Sequence, residues 1–106
     1  LDARPIYFTP PAQKGDTMLY KLKTAKPGGI KLMVIHVGLD TPEMSAMTDL
    51  NPFGPKEMSK HRNAELNGLL STQFQQLLHD PEYRLVNYGM LNKEKGLSAM
   101  KRPLTD

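Results

Sequence analysis

The segment Ile30 to Val37 limits what this chain can fold into more than any other stretch. Leu32 to Ile35 are four apolar residues in succession, the longest apolar run in the chain. Unbroken apolar character, without alternation, suits a strand covered on both faces, as in a parallel α/β sheet. Pro27, Gly28 and Gly29 stand before it. Proline disfavours a helical predecessor and glycine supplies a turn, so any preceding helix must end there.

The rest of the chain is arranged around that strand. Pro5, Pro10, Pro11 and Gly15 mark residues 1–15 as an extended, Pro-rich entry with a short apolar patch at Ile6 to Phe8. Asp16 can cap a helix from Thr17 to about Ala25, with Met18, Leu22 and Ala25 on one face. Gly38 to Pro55 reads as a long loop with one helical turn from Pro42 to Met47, and a loop of that length in a compact domain is usually functional or mobile. Met58, Arg62, Leu66, Leu69 and Leu70 recur at helical spacing. Ser71 then caps a second helix whose buried face is Phe74, Leu77 and Leu78, stopped by Asp80 and Pro81. Tyr83 to Tyr88 reads as a closing strand, and 92–106 as a polar tail. About twenty helical residues between the two strands make a right-handed crossover and parallel neighbours. Two or three such strands cannot close a barrel or cover both faces of a sheet. The expected fold is therefore a slice of a larger α/β protein.

With 106 residues, 39% of them hydrophobic, the chain can bury a small core, and no apolar run approaches a bilayer's thickness. The net charge of +3 is scattered, without the basic stripe and interleaved aromatics of a nucleic-acid binder. Neither nucleic acid nor membrane is an expected partner. No cysteine is present, which excludes disulfides, thiol catalysis and Cys-ligated zinc, and suits a reducing cytosol. The chain begins at Leu1 with no initiating Met, so its natural start is expected to lie upstream.

His36 is the informative side chain. It closes the expected strand at the edge where α/β proteins present catalytic groups, and an imidazole there can move protons near neutral pH. It can equally be a histidine that only satisfies hydrogen bonds at a strand end. His61 and His79 are weaker candidates, the latter explained by a helix C-terminus alone, and the three have no close ligand spacing. Asp40 can hydrogen-bond the imidazole or a sugar hydroxyl, or simply cap the turn at Thr41 and Pro42. Arg62, on an otherwise apolar stripe, must find a carboxylate or carbonyl, cover the core with its stem, or reach the loop around His36.

Residues 31–48 (Lys-Leu-Met-Val-Ile-His-Val-Gly-Leu-Asp-Thr-Pro-Glu-Met-Ser-Ala-Met-Thr) resemble the late signature of the YdjC-like deacetylases. So do Lys26 to Gly28 before them, His61 to Leu66, Leu70 to Phe74, and Leu85 to Tyr88 after them. The resemblance spans about residues 16–91 in order and spacing. Val37 and Leu39 depart from it, where the family often has Pro or Cys and an aromatic.

The resemblance implies the C-terminal segment of a TIM-like (β/α) barrel related to polysaccharide deacetylases, incomplete without the N-terminal part of the same barrel. It implies hydrolysis of acetyl groups from N-acetylated sugars such as chito-oligosaccharides, with a divalent metal (Mg or Zn) held by an Asp and two His that come early in the family. None of those ligands is matched here. His36 matches the late histidine that protonates the leaving amine; Asp40 and Arg62, from their positions in the chain and not from the resemblance, are the candidate substrate-binding or supporting residues. The chain by itself is then expected to bind no metal and to be inactive, and open strand edges would favour a homo-oligomer. The competing expectation is a non-catalytic sugar- or protein-binding α/β module.

Overall fold

The structure is a computed structural model, and it describes residues 1–48, 50–96 and 98. It is 53% helical and, among the described residues, has no strand. The expected slice of a parallel-stranded α/β barrel is thereby overturned, and with it the open sheet edge on which pairing between copies was to rest. The helices are α1 (Arg4–Phe8), α2 (Lys14–Lys23), α3 (Pro42–Ser45), α4 (Met58–Leu70), α5 (Thr72–Leu78) and α6 (Tyr88–Lys95). A 3-10 turn, Pro11–Gln13, leads into α2.

The segment expected to be the buried strand fails to become one because it has no ladder partner, and a strand exists only through its neighbours. Its burial does alternate. Met33 and Ile35 pack on the helices, while Ile30, Leu32 and Val34 face outward, roughly half exposed. Its hydrogen bonds go to α4 and the chain start instead. The His36 N–H donates to Glu65 Oε1 (3.1 Å), the Gly38 N–H to the Arg62 carbonyl (3.3 Å), and the Leu32 carbonyl accepts from the Leu1 ammonium (2.8 Å). The second expected strand, Tyr83 to Tyr88, is irregular as far as Asn87 and helical from Tyr88. The Asn87 side chain accepts from the Met90 N–H (2.9 Å), so an N-cap starts α6 where strand composition had suggested otherwise.

The entry is helical as well. Pro5 occupies the first turn of α1, where a missing N–H costs nothing, and Pro10 follows the helix. Locally encoded features are where the residues place them. The Ser71 hydroxyl accepts from the Phe74 N–H (3.3 Å), Phe74 is buried with Leu78 packed beside it, and Thr41 caps the turn at Pro42. Leu70, counted in the helical spacing that runs from Met58, is exposed.

Ile6, Met18 and Phe74 form the core, with Leu19, Leu22, Met33, Ile35, Leu69 and Leu78 around them. α2 and α4 cross at Gly15 and Gly68. A Cβ on Gly68 would sit 3.0 Å from the Gly15 Cα and 3.1 Å from the Met18 Sδ, whereas one on Gly15 would lie 3.5 Å from the Gly68 Cα. The obstacle at Gly68 is backbone, which cannot swing aside. We expect Gly68→Ala to cost about 1–2 kcal/mol despite alanine's better helix propensity. Gly15→Ala, where propensity acts without a clash, should be neutral or stabilising by up to about 1 kcal/mol. Thermal melts of the two variants against the parent check this contrast, and equal melting temperatures would refute it.

Candidate functional site

The buried face of α4 is polar. Met58, His61, Arg62, Glu65, Gly68 and Leu69 recur at three- and four-residue spacing, the stripe a helix turns toward its neighbours. Where a core helix would carry leucines, this one carries an imidazole, a guanidinium and a carboxylate. They meet Tyr7 of α1, Lys14 of α2 and His36, and with Met47, Thr48, Leu50 and Pro55 they line a cavity of about 260 Å³.

At its floor lies a buried ion pair. Lys14 Nζ is 3.3 Å from Glu65 Oε2, with side chains 0% and 3% exposed. The ammonium has three hydrogens and uses all of them, since it also donates to the carbonyls of Ile6 (2.9 Å) and Tyr7 (3.1 Å). Desolvation holds Lys14 below the ordinary lysine range, and Glu65 opposes that shift. The second oxygen of Glu65 accepts the His36 N–H. One carboxylate thus ties together α1, α2, α4 and the His36 segment.

His36 has its backbone pinned in this way and its side chain exposed at the cavity, with the Tyr7 ring edge-on at 6.0 Å between centroids. Arg62, half-buried, lines the same cavity, and its Nη1 reaches Met44 Sδ at 3.7 Å. Asp40 is not among the lining residues. It is exposed, and it adds only slightly to the upward shift of the Lys60 pKa that the Glu57 carboxylate causes. His79 is exposed at the end of α5, its Nδ1 2.7 Å from the Gln75 carbonyl oxygen, in keeping with a helix-terminus role.

Sequence reasoning missed Lys14 and Glu65 and undervalued His61. The available signal was the i, i+3, i+4 spacing of His61, Arg62 and Glu65, which places all three on one face of a helix.

Burial pushes the His61 imidazole below its ordinary value, and the Lys14 ammonium pushes it the same way against Glu65 and Glu57. An unfolded chain takes up this proton near the ordinary imidazole value of 6.5, before the folded chain does. The stability contributed is therefore complete above that pH and is lost on acidification through the lower folded value. Denaturant midpoints at neutral pH and about one and a half units lower should differ less in His61→Gln than in the parent. An identical difference in both would count against the effect.

The lining does not fit the divalent metal implied above. Both Glu65 oxygens are engaged, an ammonium stands beside them, and among the described residues no three His, Asp or Glu side chains are grouped to hold an ion. Comparison with known protein families, curated proteins and solved structures finds no match for this chain.

Proposed function

We propose that this chain is part of a carbohydrate deacetylase acting on N-acetylated sugars such as chito-oligosaccharides, with His36 as the general acid. The reading rests on the order and spacing of the motifs over residues 16–91, and the observation that carries it is the setting of His36. Its amide is anchored by a buried carboxylate, so the backbone is held still, while its imidazole stays exposed at the cavity beside Tyr7. A general acid has to be positioned in this way and still reach its substrate.

In the proposed reaction, water adds to the acetyl carbon and gives up a proton to solvent, the bond from that carbon to the sugar nitrogen breaks, and the imidazolium of His36 gives its proton to the departing nitrogen and regains one from solvent. The products are acetate and the free amine. Arg62 lies on the same cavity wall and is a candidate to hold the acetyl oxygen. Asp40, away from the lining, has no part in this step. The test is acetate release from N-acetylated chito-oligosaccharides by the full-length protein. Release above a heat-inactivated control is expected, and none with any N-acetylated sugar would sink the reading.

A second reading, a non-catalytic binding module for a sugar or a protein, is favoured by one observation, the ammonium of Lys14 standing where a cation would otherwise sit. Sugar binding by the chain without acetate release from the full-length protein would select it.

A further inference from the structure

The extended segment that lies over the helices uses only one of its two backbone edges. In an extended chain the N–H and C=O groups of alternate residues point to opposite edges. Among the described residues, every hydrogen bond the segment makes falls at an even-numbered position. The Leu32 carbonyl takes the Leu1 ammonium, the His36 N–H goes to Glu65, and the Gly38 N–H goes to the Arg62 carbonyl. The other edge belongs to Lys31, Met33 and Ile35, whose amides have no acceptor among the described residues. Side chains alternate in step. Met33 and Ile35 turn onto the core, while Ile30, Leu32 and Val34 stand exposed. The start of the segment is basic. Lys31 lies within it, Lys23 and Lys26 precede it, and none of the three has an ion-pair partner among the described residues.

We infer that this edge takes up an extended peptide segment of another protein, antiparallel, with apolar side chains at every second position beside Leu32 and Val34 and a carboxylate opposite Lys31. Three features set the occupant. Donors and acceptors presented at every second residue are matched by another extended backbone, and not by a helix, whose groups are used internally. The exposed apolar side chains reward apolar neighbours across the pair. Lys31 rewards an acid facing it. A second copy of the segment is a poorer occupant, because residues 30–38 bring a further lysine and no carboxylate. The inference rests on the backbone of this segment and not on the deacetylation reading, which acetate release tests by itself.

The probe is the peptide acetyl-Val-Thr-Val-Thr-Val-Glu-amide, titrated into the chain while amide exchange is followed by NMR. With its Glu opposite Lys31, its Thr residues face Met33 and Ile35, and its Val residues lie beside Leu32 and Val34. Exchange at the Lys31, Met33 and Ile35 amides should slow in proportion to occupancy, while the Leu32 and Val34 amides, on the other edge, keep their rates. N-methylation of the Thr residues removes donors that meet the segment and should abolish binding, whereas N-methylation of the Val residues, whose N–H groups point away, should leave it intact. Replacing the peptide's Glu by Lys should weaken binding by roughly two- to fivefold at low salt. Lys31→Glu, at an exposed position, should reverse that preference, with circular dichroism verifying that the variant folds. The proposal is overturned by no saturable slowing at Lys31, Met33 and Ile35, by equal slowing at Leu32 and Val34, by indifference to the Thr N-methyl groups, or by a Lys peptide that binds as tightly. Alternating protection that appears in the chain alone as its concentration rises would also overturn it, by making a second copy the occupant.

Discussion

Glu65→Ala is expected to destabilise the fold by about 3–5 kcal/mol, the cost of removing one member of a buried pair and leaving the other charge uncompensated. The substitution strands the Lys14 ammonium, whose side chain is fully buried, with only two carbonyls. It also removes the acceptor of the His36 N–H and so frees the segment that lies over the core. Native domains are stable by about 5–15 kcal/mol. A chain with Ile6, Met18 and Phe74 at its centre belongs near the lower end, so the variant should be largely unfolded at physiological temperature. The paired change Lys14→Met with Glu65→Leu separates charge from packing. Replacing both ions by apolar groups of similar volume is often neutral or stabilising, and the double variant should lose less than Glu65→Ala alone. Urea unfolding followed by circular dichroism measures each corner of the cycle. A loss below about 1 kcal/mol for Glu65→Ala would mean that the pair is hydrated and that the floor of the cavity is not dry.

His36→Gln should lower turnover in the full-length protein by about 10²–10⁴-fold, the usual worth of a positioned general acid. Stability should hardly change. The ring is exposed, and the contact that matters structurally is made by the backbone N–H, which glutamine keeps. This split between rate and melting temperature distinguishes a chemical role from a structural one. A parallel fall in both would make His36 a structural residue, and an unaltered rate would remove it from the mechanism.

The two substitutions also mark what could be learned from the residues alone. Signals acting within one helical turn were legible. Ser71 before Phe74, Thr41 before Pro42, and the face formed by Phe74, Leu77 and Leu78 each follow from contacts three or four residues apart. His36 and Arg62 stood out because each breaks an apolar pattern, and both line the cavity. The Lys14–Glu65 pair spans 51 positions, and no local pattern announces a partner at that distance. The strand assignments failed for a related reason. Four apolar residues in a row look alike whether a ladder covers them or helices cover one side only, and only long-range pairing separates the two. At Tyr83 to Tyr88, β-favouring side chains outweighed the cap signal of Asn87, which the backbone obeyed. At Arg4 to Phe8, a proline taken as a breaker proved to be a helix starter.

The unladdered segment leaves a trace in the exchange of its amides with deuterated solvent. From Lys31 to Ile35 no N–H has a described backbone acceptor, so these positions should label within the earliest time points. The next amide, at His36, is held by the buried Glu65 carboxylate and should label only when the helices part. A slow position directly after a fast stretch would show, in a single labelling trace, where the grip of α4 on this segment begins.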